Sequence, residues 1–237
     1  EALVDARTRA IVVNFPSNPT GATLTIAQRD ELIEFARRHD LWIISDEVYD
    51  RIIYDRPHVS FLTPDYDKVL MVNSFSKTFA MTGWRIGYVL SPHTEAMQLI
   101  MKLQYYVTAC SNDAMQRAVL VALEHASDYP GQMVTAFRAR RDVMVRRLNA
   151  MPGVSCHKPE GAFYVFPKVA VGAIGCEDIA MAILADGVLC SPGTAFGVAG
   201  DGHLRLAYTT SMANIERGLD VIEATLARLT DSVATFV

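Results

Sequence analysis

At 237 residues, with 51% hydrophobic and 20% charged side chains, the chain is long enough to bury a sizeable core and lies far from disordered or fibrous compositions. Lys and Arg number 22 against 26 Asp and Glu, a net charge of -4 at pH 7, so no basic excess draws it to a polyphosphate backbone and nucleic acid is not expected as its main partner. The longest apolar stretches, such as residues 11–13 and 180–185, are far too short to cross a bilayer, so a soluble chain without a membrane partner is expected.

In chain order, short apolar runs at 11–15, 41–45 and 69–72 read as strands covered on both faces, with helix or connection between them. That alternation predicts an α/β fold with a mostly parallel sheet. The helix after the first run is predicted to start at Thr25, whose hydroxyl caps free amides while Gln28 reaches back, and to bury Leu32, Phe35 and Ala36. A strand is expected over 85–90. From about Thr94 to Asn149 the pattern turns helical, with Tyr129-Pro130-Gly131 as the break between two long helices. Further strands are predicted around 154–156, 163–166, 188–190 and 204–207, with helices over 177–185 and 213–229. On the last helix Ile215, Leu219, Ile222, Leu226 and Leu229 form one apolar stripe. The expected division is residues 1–128 as one domain and 129–237 as a smaller α+β domain. Cys110, Cys156, Cys176 and Cys190 have neither metal-knuckle spacing nor the density of a disulfide scaffold, which predicts small buried thiols, no metal and a reducing, cytoplasmic setting.

Ligands of open parallel sheets sit outside the carboxyl ends of the strands. The first run ends in Ser17-Asn18-Pro19-Thr20-Gly21, the second in Asp46-Glu47-Val48-Tyr49, the third in Asn73-Ser74-Phe75-Ser76-Lys77. Taken singly, these are a good turn, a helix cap and a solvated lysine. Their arrival at successive strand ends is what surface decoration does not explain. The Asn18-Pro19 bond is expected to be cis, since such bonds concentrate at tight turns beside sites.

The segment from Ser74 through Tyr88, SFSKTFAMTGWRIGY, resembles the cofactor-lysine signature of class I and II aminotransferases, the fold type I, aspartate-aminotransferase-like enzymes that use pyridoxal 5'-phosphate (PLP). NPTG from Asn18, DEVY from Asp46, PEGAFY from Pro159, PGTAFG from Pro192 and RLAY from Arg205 follow in the family's order. The resemblance implies a Schiff base between PLP and Lys77, whose freed amine then moves a proton at the substrate α-carbon. It further implies Asp46 on the pyridine nitrogen, Tyr49 and Asn18 on the ring oxygen, and Ser74 and Arg85 on the phosphate. Arg205 would take the substrate α-carboxylate in a two-pronged grip, with Asn18 beside it. Amino-acid and 2-oxo-acid substrates and a homodimer are implied as partners.

Against the family pattern, the chain is expected to be a piece. The opening strands of the large sheet, the N-terminal half of the small domain, the glycine-rich helix start that cradles the phosphate and the aromatic that stacks on the ring are all missing from it. Residues 1–128 would then be the C-terminal portion of the large PLP-binding domain with the long interdomain helix, and 129–237 the small domain; such a piece is expected to bind PLP weakly or not at all. The stretch 105–113 lacks the arginine that some members use for a side-chain carboxylate. Aspartate, alanine, aromatic and branched donors remain open. So do a β-elimination lyase or decarboxylase of the same fold, and a PLP-binding effector domain of a transcription regulator.

Overall fold

The computed structural model describes residues 3–235, apart from the side chains of 233–235. Two compact units are present, one made of the residues up to Ser17 with Ala22–Val134, the other of Asn18–Gly21 with Thr135–Val237.

In the first unit, β1 (Ala10–Asn14), β2 (Trp42–Asp46) and β3 (Val69–Ser74) are parallel neighbours, and β4 (Gly87–Leu90) joins β3 antiparallel. The sheet is therefore mostly parallel, as the alternating pattern predicted. Its registers set Asn14 opposite Asp46 and Asp46 opposite Val72, so β1 and β2 end level with one another and β3 runs two residues further, to Ser74. The polar residues that follow these strands thus emerge at the same edge of the sheet, the consequence of strands that run in one direction.

Helix α1 (Ile26–Arg38) starts as expected: Thr25 Oγ1 accepts from the Gln28 amide at 3.2 Å, and Gln28 Oε1 accepts from the Thr25 amide at 2.9 Å. Its buried residues are Ile33 and Ala36, while Leu32 and Phe35 pack partly buried beside them. The inward direction is one residue round from the expected stripe, because Ile33 faces Leu41, Ile43, Phe61 and Val69 in one core cluster. Fully enclosed aliphatics such as Ile43, at 0% exposure, each contribute roughly 1.5–3 kcal/mol.

After β3 come the single turn α2 (Phe75–Thr78), a 3-10 turn (Thr82–Trp84), and the helices α3 (Thr94–Thr108), α4 (Asp113–His125) and α5 (Tyr129–Ala150). The helical stretch contains three helices rather than two, and the expected break at Tyr129-Pro130-Gly131 is instead the first turn of α5. Pro130 is tolerated there because first-turn amides have no intrahelical partner. The interruption falls just before, where Ala126 caps α4.

In the second unit, β5 (Val154–Ser155) pairs with β7 (Lys168–Val169), and a three-stranded sheet has the order β6 (Tyr164–Val165), β9 (Leu204–Ala207), β8 (Ser191–Pro192). Helices α6 (Cys176–Ala185) and α7 (Met212–Thr235) complete it. The strand expected at 188–190 lies instead at Ser191–Pro192, the residues that come into register with Leu204 and Arg205; Leu189, in the apolar run before them, is 81% exposed. Along α7, Ile215, Leu219, Ile222 and Leu226 are buried as the stripe predicted, with Leu229 half-buried at its end.

Cys156 and Cys176 are buried and Cys190 is half-buried, but Cys110 is exposed in the connection between α3 and α4, contrary to expectation. Burial pushes the thiols of Cys156 and Cys190 up to about 11, which keeps both protonated and unreactive near neutral pH.

Candidate active site

Asp46 ends β2, and its Oδ1 accepts from the Val48 amide at 3.2 Å, which turns the chain away from the sheet. The side chain is half-buried. Burial pushes its carboxyl above the ordinary value; the Val48 amide pulls it back, the charge of Glu47 adds to the rise, and the charge of Lys77 lowers it. Asp46 and Lys77 therefore lie within electrostatic reach of one another. Lys77 stands on α2, a turn organised by Ser74: the Ser74 hydroxyl accepts from the Ser76 amide at 3.0 Å and donates to the Ile86 carbonyl at 3.2 Å. Tyr49, three residues past Asp46, is buried at 4% exposure.

Ser74 and Arg85 have different settings. Ser74 lines a cavity of about 350 Å³ together with Asp50, Phe75, Thr78, Phe79 and Tyr88, and Lys77, Asp46 and Tyr49 are not among its walls. Arg85 is exposed and sits in left-handed backbone at φ 54°, ending the 3-10 turn, with Nη1 donating to the Thr82 carbonyl at 3.0 Å. One N–H of its five-donor fork is thereby engaged.

Neighbouring acids have opposite fates. Glu47, beside Asp46 in sequence, is 2% exposed, and its carboxylate accepts from Ser45 Oγ at 2.9 Å, Ser60 Oγ at 3.1 Å and the Phe61 amide at 3.0 Å, with His58 Nε2 at 2.7 Å. Burial alone would raise it, yet the His58, Phe61 and Ser60 hydrogen bonds outweigh burial and hold it below the usual carboxylate range. Asp50 is pushed up by burial, eased by Asn73. The sequence pattern read Glu47 as a cap; apart from Ser45, its partners lie at positions 58–61, a loop whose return to the strand end no local pattern announces. Because its folded-state value is depressed, Glu47 contributes stability above the unfolded value of ~4.3 and loses it as pH falls through the lower folded value. Glu47→Gln is expected to cost about 2–4 kcal/mol in urea unfolding at neutral pH, with the difference shrinking on acidification. A pH-independent difference would contradict this.

A second group of residues lies within the other unit. The Asn18-Pro19 bond is cis, as expected. Asn18 Oδ1 accepts from Arg205 Nη1 at 2.9 Å, and Arg205 Nη2 donates to Ser191 Oγ at 3.1 Å. The guanidinium carbon stands 4.8 Å from the ring centres of both Tyr164 and Phe196. A cation stacked on two aromatic faces and hydrogen-bonded at both prongs is held in plane, the arrangement that suits a planar carboxylate. Tyr164 and Phe196 lie in the PEGAFY and PGTAFG motifs, to which the sequence assigned no contact; Tyr164 stands on β6, paired with the arginine's own strand, and Phe196 on the 3-10 turn Gly193–Phe196 that follows β8. One unit thus offers a carboxylate within electrostatic reach of an amine, and the other an oriented cationic fork.

The family model for aminotransferase class I and II matches residues 1–222. The chain belongs to that family. It is 37% identical to an aspartate aminotransferase of Pyrococcus abyssi, over 94% of this chain and 58% of that protein. It is 35% identical to aromatic-amino-acid aminotransferase 2 of Thermococcus litoralis, over 95% of this chain and 59% of that protein. Among solved structures, an aromatic aminotransferase of Pyrococcus horikoshii matches with a TM-score of 0.89 at 37% identity, covering 96% of this chain and 62% of that one. The mixed sheet with its helices is that of part of the aminotransferase large domain, and the chain spans about 60% of the length of these aminotransferase relatives. Among the described residues no helix is long and apolar enough to cross a membrane, and no group of three or more His, Cys, Asp or Glu could hold a metal ion.

Proposed function

We propose that the protein is an aminotransferase that moves the amino group of an L-amino acid to a 2-oxo acid with PLP held on Lys77. The observation that carries this reading is Lys77 within electrostatic reach of Asp46 at the carboxyl-end edge of the parallel strands. The residues fit the cofactor: a half-buried carboxylate that burial biases toward its protonated form gains from a pyridinium N–H, which would restore its charge. When bound, PLP supplies an electron sink that labilises bonds at the substrate α-carbon.

Each residue then has a defined task. Lys77 Nζ attaches the cofactor and, once freed, carries the proton at the α-carbon. Asp46 would keep the ring nitrogen protonated, and Tyr49 and Asn18 would hydrogen-bond the ring oxygen. Ser74 and Arg85 would hold the phosphate, Ser74 by turning the proton now directed at Ile86 O. Arg205 grips the substrate α-carboxylate, with Asn18 fixing its plane. Residues 1–128 serve as the C-terminal portion of the large cofactor-binding domain and 129–237 as the small domain. A cytoplasmic homodimer fits the cysteine usage and α3, whose Leu99, Met101, Leu103, Tyr106 and Val107 are all more than half exposed.

The direct test supplies purified protein with PLP and paired donors and acceptors: aspartate, alanine, aromatic or branched amino acids with 2-oxo acids. Exchange of the amino group supports the reading, whereas release of ammonia and pyruvate without exchange would replace it with elimination. Arg205→Gln is expected to raise KM for donor and acceptor about 10²-fold, the effect of removing one partner of a hydrogen-bonded charge pair. Unchanged KM values would remove Arg205 from the site.

A further inference from the structure

Arg141, on α5, is the largest fully buried side chain, at 0% exposure. A guanidinium is expensive to desolvate, and an apolar residue of similar volume often serves stability as well or better. A buried arginine is therefore best explained by something only a fork of N–H donors does. Its Nη1 donates to the Pro159 carbonyl at 3.0 Å, and its Nε donates to Asp142 Oδ1 at 2.9 Å. Lys158 Nζ lies 3.2 Å from the same Asp142 oxygen. Residues 158 and 159 are thus both tied to consecutive positions of α5.

The following two residues pass this constraint on. The amides of Glu160 and Gly161 both donate to the Gly21 carbonyl, at 3.0 and 2.9 Å. Gly21 sits at φ +68°, and a Cβ there would come within 2.4 Å of Pro159 Cβ and 2.7 Å of Gly161 O, so the two segments meet without slack. Gly21 closes the short Asn18–Gly21 segment, at whose other end Asn18 Oδ1 accepts from Arg205. An unbroken relay therefore runs from Arg141 through Pro159 O, the 160 and 161 amides, Gly21 O and Asn18 to the Arg205 fork, all of it within the second unit.

We infer that Arg141 is a positioning residue for substrate-carboxylate recognition: by pinning the 158–161 turn it sets where Asn18 stands, and thereby the direction in which Arg205 presents its two donors. The inference rests on the reading of Arg205 as the carboxylate grip.

The test compares Arg141→Met, Arg141→Lys, Arg205→Gln and the Arg141→Met/Arg205→Gln double variant in the purified protein, by steady-state kinetics with PLP, thermal unfolding and side-chain Nε–H NMR. Arg141→Met is expected to unfold cooperatively and to raise KM for amino acid and 2-oxo acid about tenfold, with kcat changed less than about threefold. Arg141→Lys, which keeps a donor for Pro159 O, should recover part of that loss. In the Arg205→Gln background Arg141→Met should add less than about twofold, because the fork it aims is gone. The Arg205 Nε–H resonance, assigned by its disappearance in Arg205→Gln, should shift in Arg141→Met. A lowered Tm with unchanged KM, a full tenfold effect persisting in the Arg205→Gln background, or an unmoved resonance would each overturn the inference. Should Arg141→Met fail to fold, Arg141→Lys and Gly21→Ala, which drives a methyl into the turn while leaving Arg141 in place, are judged by the same KM and NMR criteria. If Arg205→Gln leaves KM unchanged, the grip reading and this inference fall together; if Arg205→Gln raises KM and the position 141 variants do not, only this inference falls.

Discussion

Lys77→Ala is expected to lower amino-group exchange by on the order of 10⁴-fold and to abolish the borohydride-reducible attachment of PLP to the protein. In the proposed function both effects would come from one nitrogen, which would hold the cofactor and then move the proton. The substitution should leave the fold nearly untouched. Lys77 is half-buried on the single turn Phe75–Thr78, whose start depends on the Ser74 cap, and alanine has the strongest helix propensity of any residue. An unchanged Tm beside lost exchange therefore isolates the chemistry from stability. Lys77→Arg should be equally inactive, because a guanidinium stays protonated and cannot serve as a base. A Lys77→Ala protein that still carries a reducible linkage at another lysine, and still exchanges amino groups, would end the assignment.

Where an element carried its own apolar run or its own cap, its existence was legible in the sequence. The runs that became β1, β2 and β3 announced strands by their short apolar stretches, although the expected cover on both faces is absent: burial alternates along β2 and β3, and Val12 of β1 is 72% exposed. The Thr25 and Gln28 pair announced α1 through chemistry confined to its first turn. The two-residue strands β5 and β6 fell within predicted runs, but β7 was not foreseen and β8 was placed too early, because these two are defined by a partner distant in sequence and not by an apolar pattern of their own. Pro130 misled because proline punctuates a helix interior but is harmless in a first turn. At the candidate site, residue types at the strand ends could be read, but their environments could not. Asp46, Glu47 and Asp50 lie within five positions of one another, yet burial lifts the first and last, while hydrogen bonds from His58, Ser60 and Phe61 lower the middle one. Arg141 gave no signal at all, since an arginine in a polar helical stretch reads as solvated until packing encloses it.

Asp46→Asn should separate function from stability with opposite signs. Burial raises the carboxyl of Asp46 in the folded state, so the fold binds a proton there more tightly than the unfolded chain does. Above the folded-state value the ionised carboxylate costs the fold; as pH falls through that value toward the ordinary ~3.9, the cost is relieved. This is the reverse of Glu47, whose contribution is lost on acidification. Asparagine has nearly the same shape and no charge, so without added PLP the Asp46→Asn protein should melt higher than the parent near neutral pH, and the gap should close toward pH ~4. With PLP the order of merit inverts. A neutral amide cannot keep the ring nitrogen protonated, and exchange should fall about 10²–10³-fold, as when one preorganised electrostatic partner is removed from a reaction centre. Added PLP should also raise the Tm of the parent more than that of the variant, because the stabilisation a ligand confers follows its affinity. Glutamate at the same position, which restores the charge at a greater reach, should recover part of the activity and none of the added stability. If Asp46→Asn proved less stable than the parent at neutral pH without PLP and equally active with it, the half-buried carboxylate would be a structural acid and the cofactor's ring nitrogen would need another partner.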